Sequence, residues 1–180
     1  MPEIYSPAED SYLLAEILAK KLPRILRKNK KLTFFEMGCG SGIILEKALD
    51  LGVKRENILS ADVNKDSVKH CKNLGFKCVH SNLFDKVKRK FDVIVFNPPY
   101  LPIDERESKN SRLITTGGKT GSEITNKFLK QAKKHLKENG VIFLLVSSHT
   151  RKIDFSGFRK KIAGRKKLFF EMLFVLELRK

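Results

Sequence analysis

The segment Asn97-Pro98-Pro99-Tyr100 carries the most suggestive chemistry in the chain. Two consecutive prolines stop the apolar run Phe91 to Phe96 and fix the backbone that follows it. The side-chain oxygen of Asn97 and the carbonyl of Pro98 can then face one point. Two fixed acceptors there suit an NH2 group with two hydrogens to donate. Accepting both makes the nitrogen more electron-rich and aims its lone pair at a donor methyl, while Tyr100 can stack on the planar group that carries the NH2. Such catalysis is positioning plus electrostatics, with no covalent intermediate. Asn97, Pro98 and Tyr100 are therefore the expected catalytic residues, and Asn97, Pro98, Pro99 and Tyr100 the expected substrate contacts.

A second constellation lies upstream. Glu36-Met37-Gly38-Cys39-Gly40-Ser41-Gly42 leads from a strand into a helix, with glycines that let a ligand approach the backbone. The spacing is G-x-G-x-G, and Ile43 stands where a dinucleotide fingerprint wants glycine. The loop suits a nucleoside without a pyrophosphate, such as S-adenosylmethionine, with Glu36 placed to meet a cationic end. Asp62, about twenty residues past the loop, can accept both ribose hydroxyls. Ser81-Asn82-Leu83 ends the third strand, where Asn82 could bond an adenine edge and Leu83 cover its face. Each feature alone has a plainer reading: a tight turn, a helix N-terminal acid, a strand-ending Asn-Pro. In this order and together they point to one site.

These residues follow strands. Alternating periodicity predicts helices over 9–27, 42–51, 66–74, 122–137 and 152–163, and strands over 32–37, 58–63, 77–83, 91–96 and 141–147, with one or two more within 168–178. The first helix should bury Tyr12, Leu13, Ile17 and Leu18, and Pro23 could bend or shorten it. Strand–helix alternation means a mainly parallel sheet with helices on both faces, and ligands at the C-terminal strand ends near the topological switch. The stretch from Pro98 to Gly121 is long for a connection and is expected to face the substrate, with Asp104, Glu105, Arg106, Glu107, Lys109 and Arg112 as solvated charges. Gly118-Lys119-Thr120 imitates the end of a phosphate-binding loop, but Leu113 occupies the position of its first glycine. Ser148, His149 and Asp154 do not suggest a triad.

With 180 residues the chain is expected to form one domain, 1–180. Cys39, Cys71 and Cys78 form no CxxC and the four histidines are scattered, so reduced thiols in a cytoplasmic protein are expected, with no metal framework. Residues 1–10 do not resemble a signal peptide, and 168–178 is too short to span a bilayer. A net charge of +17 favours polyanionic neighbours such as RNA, DNA or the ribosome, or is simply a lysine-rich surface.

The chain resembles class I S-adenosylmethionine-dependent methyltransferases of the amino-methylating type. Within them it is similar to the HemK-like release factor glutamine methyltransferases of the archaeal and eukaryotic branch. The match is carried by Tyr5-Ser6-Pro7-Ala8-Glu9-Asp10-Ser11, by Glu36 to Gly42, by Asn97 to Tyr100 and by Gly117-Gly118-Lys119-Thr120-Gly121-Ser122-Glu123, and it covers nearly the whole chain. The extra N-terminal helical domain of the bacterial kind is not expected. The resemblance implies a Rossmann-like sandwich with a mainly parallel seven-stranded sheet and an antiparallel C-terminal strand. It implies a cofactor site lined by Ser11, Glu36, Gly38, Gly40, Asp62, Asn82, Leu83 and Asn97. Ser11 replaces a common threonine, and Asn82 a common aspartate. The implied activity is N5-methylation of the glutamine in the Gly-Gly-Gln tip of a class 1 release factor. The implied partner is a small zinc-binding activator, expected along the third strand, where Phe76, Cys78 and Val79 are apolar for a sheet edge. Two rival readings are amino-methylation of adenine in DNA or RNA, disfavoured by the lack of a target-recognition domain, and a silent basic RNA-binding scaffold, disfavoured by intact Glu36, Asp62 and Asn97.

Overall fold

The computed structural model describes residues 4–103 and 116–180. Helix α1 (Glu9–Lys28) carries acids in its first turn and bases in its last, the order that complements a helix dipole. Pro23 lies inside it without ending it. Its buried stripe is Leu13, Leu14, Ile17, Leu18 and Leu22. Tyr12 falls off that stripe and is 53% exposed, contrary to expectation.

The rest of the chain runs β1 (Phe34–Met37), α2 (Ile43–Asp50), β2 (Ile58–Asp62), α3 (Lys65–Asn73), β3 (Lys77–His80), β4 (Phe91–Phe96), β5 (Leu101–Pro102), β6 (Thr116–Gly118), α4 (Glu123–His135), β7 (Leu136–Ser147), β8 (Arg159–Lys167) and β9 (Met172–Arg179). Seven strands form one sheet in the order β3-β2-β1-β4-β7-β9-β8. The first five are mutually parallel, and β9 runs antiparallel between β7 and β8. This is the Rossmann-like α/β architecture that the sequence predicts, with β3 at one edge. The chain winds outward from β1 through β2 to β3, then returns to place β4 on the other side of β1. That reversal opens a crevice at the C-terminal ends of β1 and β4.

Alternate residues of the central strands feed two cores. Phe34, Val93, Val95 and Phe143 pack toward α1, α2 and α3. Phe35, Ile94, Phe96 and Leu144 pack toward α4. On the α4 side Phe35 stacks on Phe91 at 4.7 Å between centroids, and Phe96 meets Phe128 at 4.5 Å. These buried rings tie β1 to the start of β4, and the end of β4 to α4 just before Asn97.

Two expectations need correction. No helix forms over 152–163. Gly157, at φ +81°, interrupts that stretch, and Phe158 N–H closes a turn on Phe155 C=O. Ile153, Phe155 and Phe158 pack on the α4-side core from this turn. Residues 159–167 instead pair with β9. The open ladder of β9 outweighs the helix preference of Lys and Arg, whose charges also guard an edge strand against self-association. Gly164 permits this: a Cβ there would lie 2.2 Å from Ile17 Cδ1 of α1. Second, α4 ends at His135, and β7 already begins at Leu136. Asn139 and Gly140 sit in an irregularity between the pairs Phe91–Leu136 and Val93–Val141. The solvated charges expected at Asp104, Glu105, Arg106, Glu107, Lys109 and Arg112 lie outside the described residues.

Candidate active site

The crevice holds a cavity of about 690 Å³. Glu36, Gly38, Gly40, Asp62, Asn82, Leu83, Asn97, Pro98, Pro99, Tyr100 and Ser11 all line it, so every site residue expected from the sequence faces one space. Its placement follows from the sheet: Glu36 lies near the end of β1, Asp62 ends β2, Ser81 to Leu83 follow β3, and Asn97 follows β4.

The β1–β2 side of the cavity is acidic and tightly wired. Gly38, Gly40 and Gly42 all have positive φ, a backbone that side chains rarely adopt. The loop is tied to β2 by Gly40 N–H, which donates to Asp62 Oδ2 at 3.1 Å; Asn64 N–H donates to Asp62 Oδ1 at 2.8 Å. Burial raises the Asp62 carboxyl, and the N–H groups of Asn64 and Gly40 pull it back. Glu36 is more extreme. Burial, then the charge of Asp62, pushes it well above the usual carboxylate range. Its Oε2 is buried without a hydrogen-bond partner. An orphaned carboxylate oxygen aimed into a cavity is costly unless a donor or cation meets it there. Leu83 sits at φ +46°, fixed by the Ser81 hydroxyl donating to its carbonyl at 2.9 Å.

On the opposite side, the turn 97–100 carries no charged side chain. Asn97 Oδ1 is buried and, like Glu36 Oε2, lacks a partner. The turn that carries it rests on the second glycine segment. A Cβ at Gly117 would stand 2.5 Å from Pro99 O, and one at Gly121 would stand 2.4 Å from Tyr100 O. Only glycine lets 117–121 lie against the backbone of 99–102. Thr150 Oγ1 adds a hydrogen bond to Tyr100 O at 3.2 Å.

Sequence reasoning missed Asp10. It is 4% exposed and accepts from the Tyr5 hydroxyl at 2.8 and 2.9 Å, from Ser11 N–H at 2.6 Å and from the Tyr100 hydroxyl at 3.4 Å. Burial, and then the Asp10 charge, raise both phenols, so they stay protonated donors. Tyr5 and Asp10 stand in the resembling N-terminal segment, and the signal there was an acid with no stated job. Ile124, Lys127 and Gln131 of α4 also line the cavity, and their spacing of three and four is the only hint the sequence offers.

The methyltransferase small domain family matches residues 10–155. The chain belongs to this family of class I S-adenosylmethionine-dependent methyltransferases. A candidate protein N5-glutamine methyltransferase of Methanocaldococcus jannaschii is 39% identical over 97% of this chain and 91% of its own length. The release factor glutamine methyltransferase of Aquifex aeolicus is 32% identical over 77% of this chain, which spans 54% of that protein. Among solved structures, the Mtq2–Trm112 complex of E. cuniculi, responsible for methylation of the termination factor eRF1, matches with a TM-score of 0.73 at 23% identity. That match covers 100% of this chain and 99% of the other. The methyltransferase uses S-adenosylmethionine, and its site fits that cofactor: the bare Glu36 oxygen suits a cationic amino acid end, and the cavity has room for a nucleoside. No helix of the described residues is long and apolar enough to cross a membrane.

Proposed function

We propose that this methyltransferase methylates the N5 amide nitrogen of the glutamine in the Gly-Gly-Gln tip of a class 1 release factor. The observation that carries the reading is the bare, buried Oδ1 of Asn97 in a rigid, uncharged turn. A neutral primary amide meets it with two N–H donors, one for Asn97 Oδ1 and one for the Pro98 carbonyl. A cationic acceptor such as lysine would find no charge in the turn itself. The glutamine methyltransferase activities ascribed to the Methanocaldococcus jannaschii and Aquifex aeolicus proteins support glutamine as the acceptor.

Bound S-adenosylmethionine supplies a methyl group on a cationic sulfur. Glu36 takes the amino acid end, Asp62 the ribose hydroxyls, and Asn82 and Leu83 the edge and face of the adenine; Ser11, Gly38 and Gly40 close the cradle. Asn97 and Pro98 hold the acceptor nitrogen still. As that nitrogen takes the methyl from the sulfur, which is left a neutral thioether, its hydrogens become more acidic, both acceptors strengthen in the transition state, and one N–H proton is given up to water. Tyr100, held by Asp10, covers the planar amide. No side chain forms a bond to substrate.

β3 offers a free backbone edge for a small zinc-binding activator, and the Mtq2–Trm112 assembly supports that partner. The apolar residues of the edge contribute less than the sequence suggests. Phe76 and Cys78 turn inward and are buried, with Arg55 over the Phe76 ring at 4.6 Å. Val79 and the 59% exposed Val63 remain for a partner. Co-expression with the activator should give a soluble complex in which the amides of 75–80 are protected from hydrogen exchange. A fully active lone chain that forms no complex would remove this part of the reading.

Adenine in DNA or RNA is the rival acceptor, since its amino group also sits on a planar system and the chain carries +17. Labelled methyl from the cofactor should appear on the release factor and not on DNA or RNA offered in parallel. Labelling confined to nucleic acid would overturn the reading.

A further inference from the structure

Three cysteines scattered in sequence come together in space. Cys39 lies in the glycine loop, Cys71 on α3 and Cys78 on β3. All are buried and reduced, and their sulfurs lie within 4.8 Å of one another. Cys71 Sγ is 3.7 Å from Gly40 O and 3.9 Å from Cys39 O, directly beneath the loop. The Ser60 hydroxyl donates to Cys78 Sγ at 2.7 Å. Plain core packing asks only for small apolar volume at these positions. It does not ask three sulfurs to converge, nor a buried hydroxyl to join them.

We propose that Cys39, Cys71 and Cys78 form a binding site for one soft divalent metal ion of the zinc class, held as a tris-thiolate. Thiolates hold zinc at about 2.3 Å, so three sulfurs around one ion stand roughly 3.8–4.0 Å apart. A triangle with no side longer than 4.8 Å closes onto an ion with shifts of about an ångström or less. Three sulfur donors select soft ions over magnesium or calcium. The Ser60 hydroxyl, 2.7 Å from Cys78 Sγ, already hydrogen-bonds one of the three sulfurs. Binding displaces three protons: three thiols and one dication become one complex of net charge −1 and three hydrated protons.

The consequence falls on the cofactor loop. Cys39 stands between Gly38 and Gly40, and Gly40 N–H is the tie to Asp62. An ion bridging Cys39 to α3 and β3 pins the loop to both elements and raises the melting temperature of the cofactor-free protein. The proposal is independent of the acceptor, so its failure would leave the methylation reading untouched.

The test uses the reduced, metal-free full chain titrated with Zn²⁺ and, as an optical probe, Cd²⁺. One ion per chain should bind with a thiolate-to-metal charge-transfer band, about three protons should be released, and all three thiols should resist alkylation. Cys71→Ala and Cys78→Ala should each weaken binding at least about tenfold. Folding of the variants is checked by their melting curves and S-adenosylmethionine binding, and alkylation of the parent decides the matter if either variant is unfolded. Absence of the band on the folded parent, thiols that alkylate equally with and without ion, or undiminished binding in both variants would overturn the site.

Discussion

The two sides of the cavity solve opposite problems. On the β1–β2 side, Glu36 and Asp62 are two buried carboxyls; burial raises both, the charge of Asp62 raises Glu36 further, and only Asp62 is offset by backbone donors. On the β4 side, Asn97 presents a neutral oxygen in a turn locked by two prolines and by the backbone of 117–121. One side stores electrostatic cost that a cation relieves; the other stores rigidity. The contrast teaches that affinity for the cofactor should follow charge, whereas the rate should follow position.

The largest effect that would sharpen this contrast is at Asn97. Asn97→Ala should lower turnover on the order of 10²-fold or more, the penalty for losing a donor or acceptor that meets developing charge. Cofactor affinity by calorimetry should stay close to that of the parent. Near-normal methylation would break the distinction. Asp62→Ala should act the other way, weakening S-adenosylmethionine binding by roughly 1.5–3 kcal/mol because hydroxyl groups lose an ionised acceptor. The glycine loop also loses the tie from Gly40 N–H, so unchanged affinity would count against the placement of the ribose.

Glu36 gives a pH-dependent version of the same test. Its folded pKa lies above its unfolded one, so its protonated form favours the native state. That stability is fully present below the unfolded carboxylate value and is lost as pH rises through the raised folded value. The melting temperature of the cofactor-free protein should therefore fall as pH rises across that window. Glu36→Gln should flatten the fall and weaken cofactor binding at neutral pH. A variant that melts with the parent's full pH dependence would show that another group is responsible. The smallest effect is expected at Tyr100→Ala, which should raise KM for the acceptor several-fold to tenfold while leaving cofactor affinity nearly unchanged, as loss of one planar contact would.

The same contrast describes what the sequence makes legible. The cofactor side is written in local signals: alternating glycines, an acid at each strand end, and apolar runs that become central strands. The acceptor turn is equally plain because proline constrains its neighbours. Where spacing in sequence carries no information, the reading fails. Asp10 reaches Tyr100 across ninety positions, and the three cysteines meet only once α3 and β3 are packed. The β8 segment reads as a helix because Lys and Arg tolerate either state; the open ladder of β9 decides it, and that ladder exists only in the folded sheet. The short pair β5–β6 has no periodicity to read, and it matters because it braces the Asn97 turn.

The central claim is that a neutral primary amide is the acceptor, and one measurement addresses it directly. A release factor with its native Gly-Gly-Gln tip and a second with Gly-Gly-Glu are methylated in parallel, and the modified residue is located by mass spectrometry. The account predicts one methyl on the glutamine side chain of the first factor and none at that position of the second, because a carboxylate brings no hydrogens to Asn97 Oδ1 and Pro98. Equal labelling of both factors, or methyl located elsewhere on the first, would contradict it.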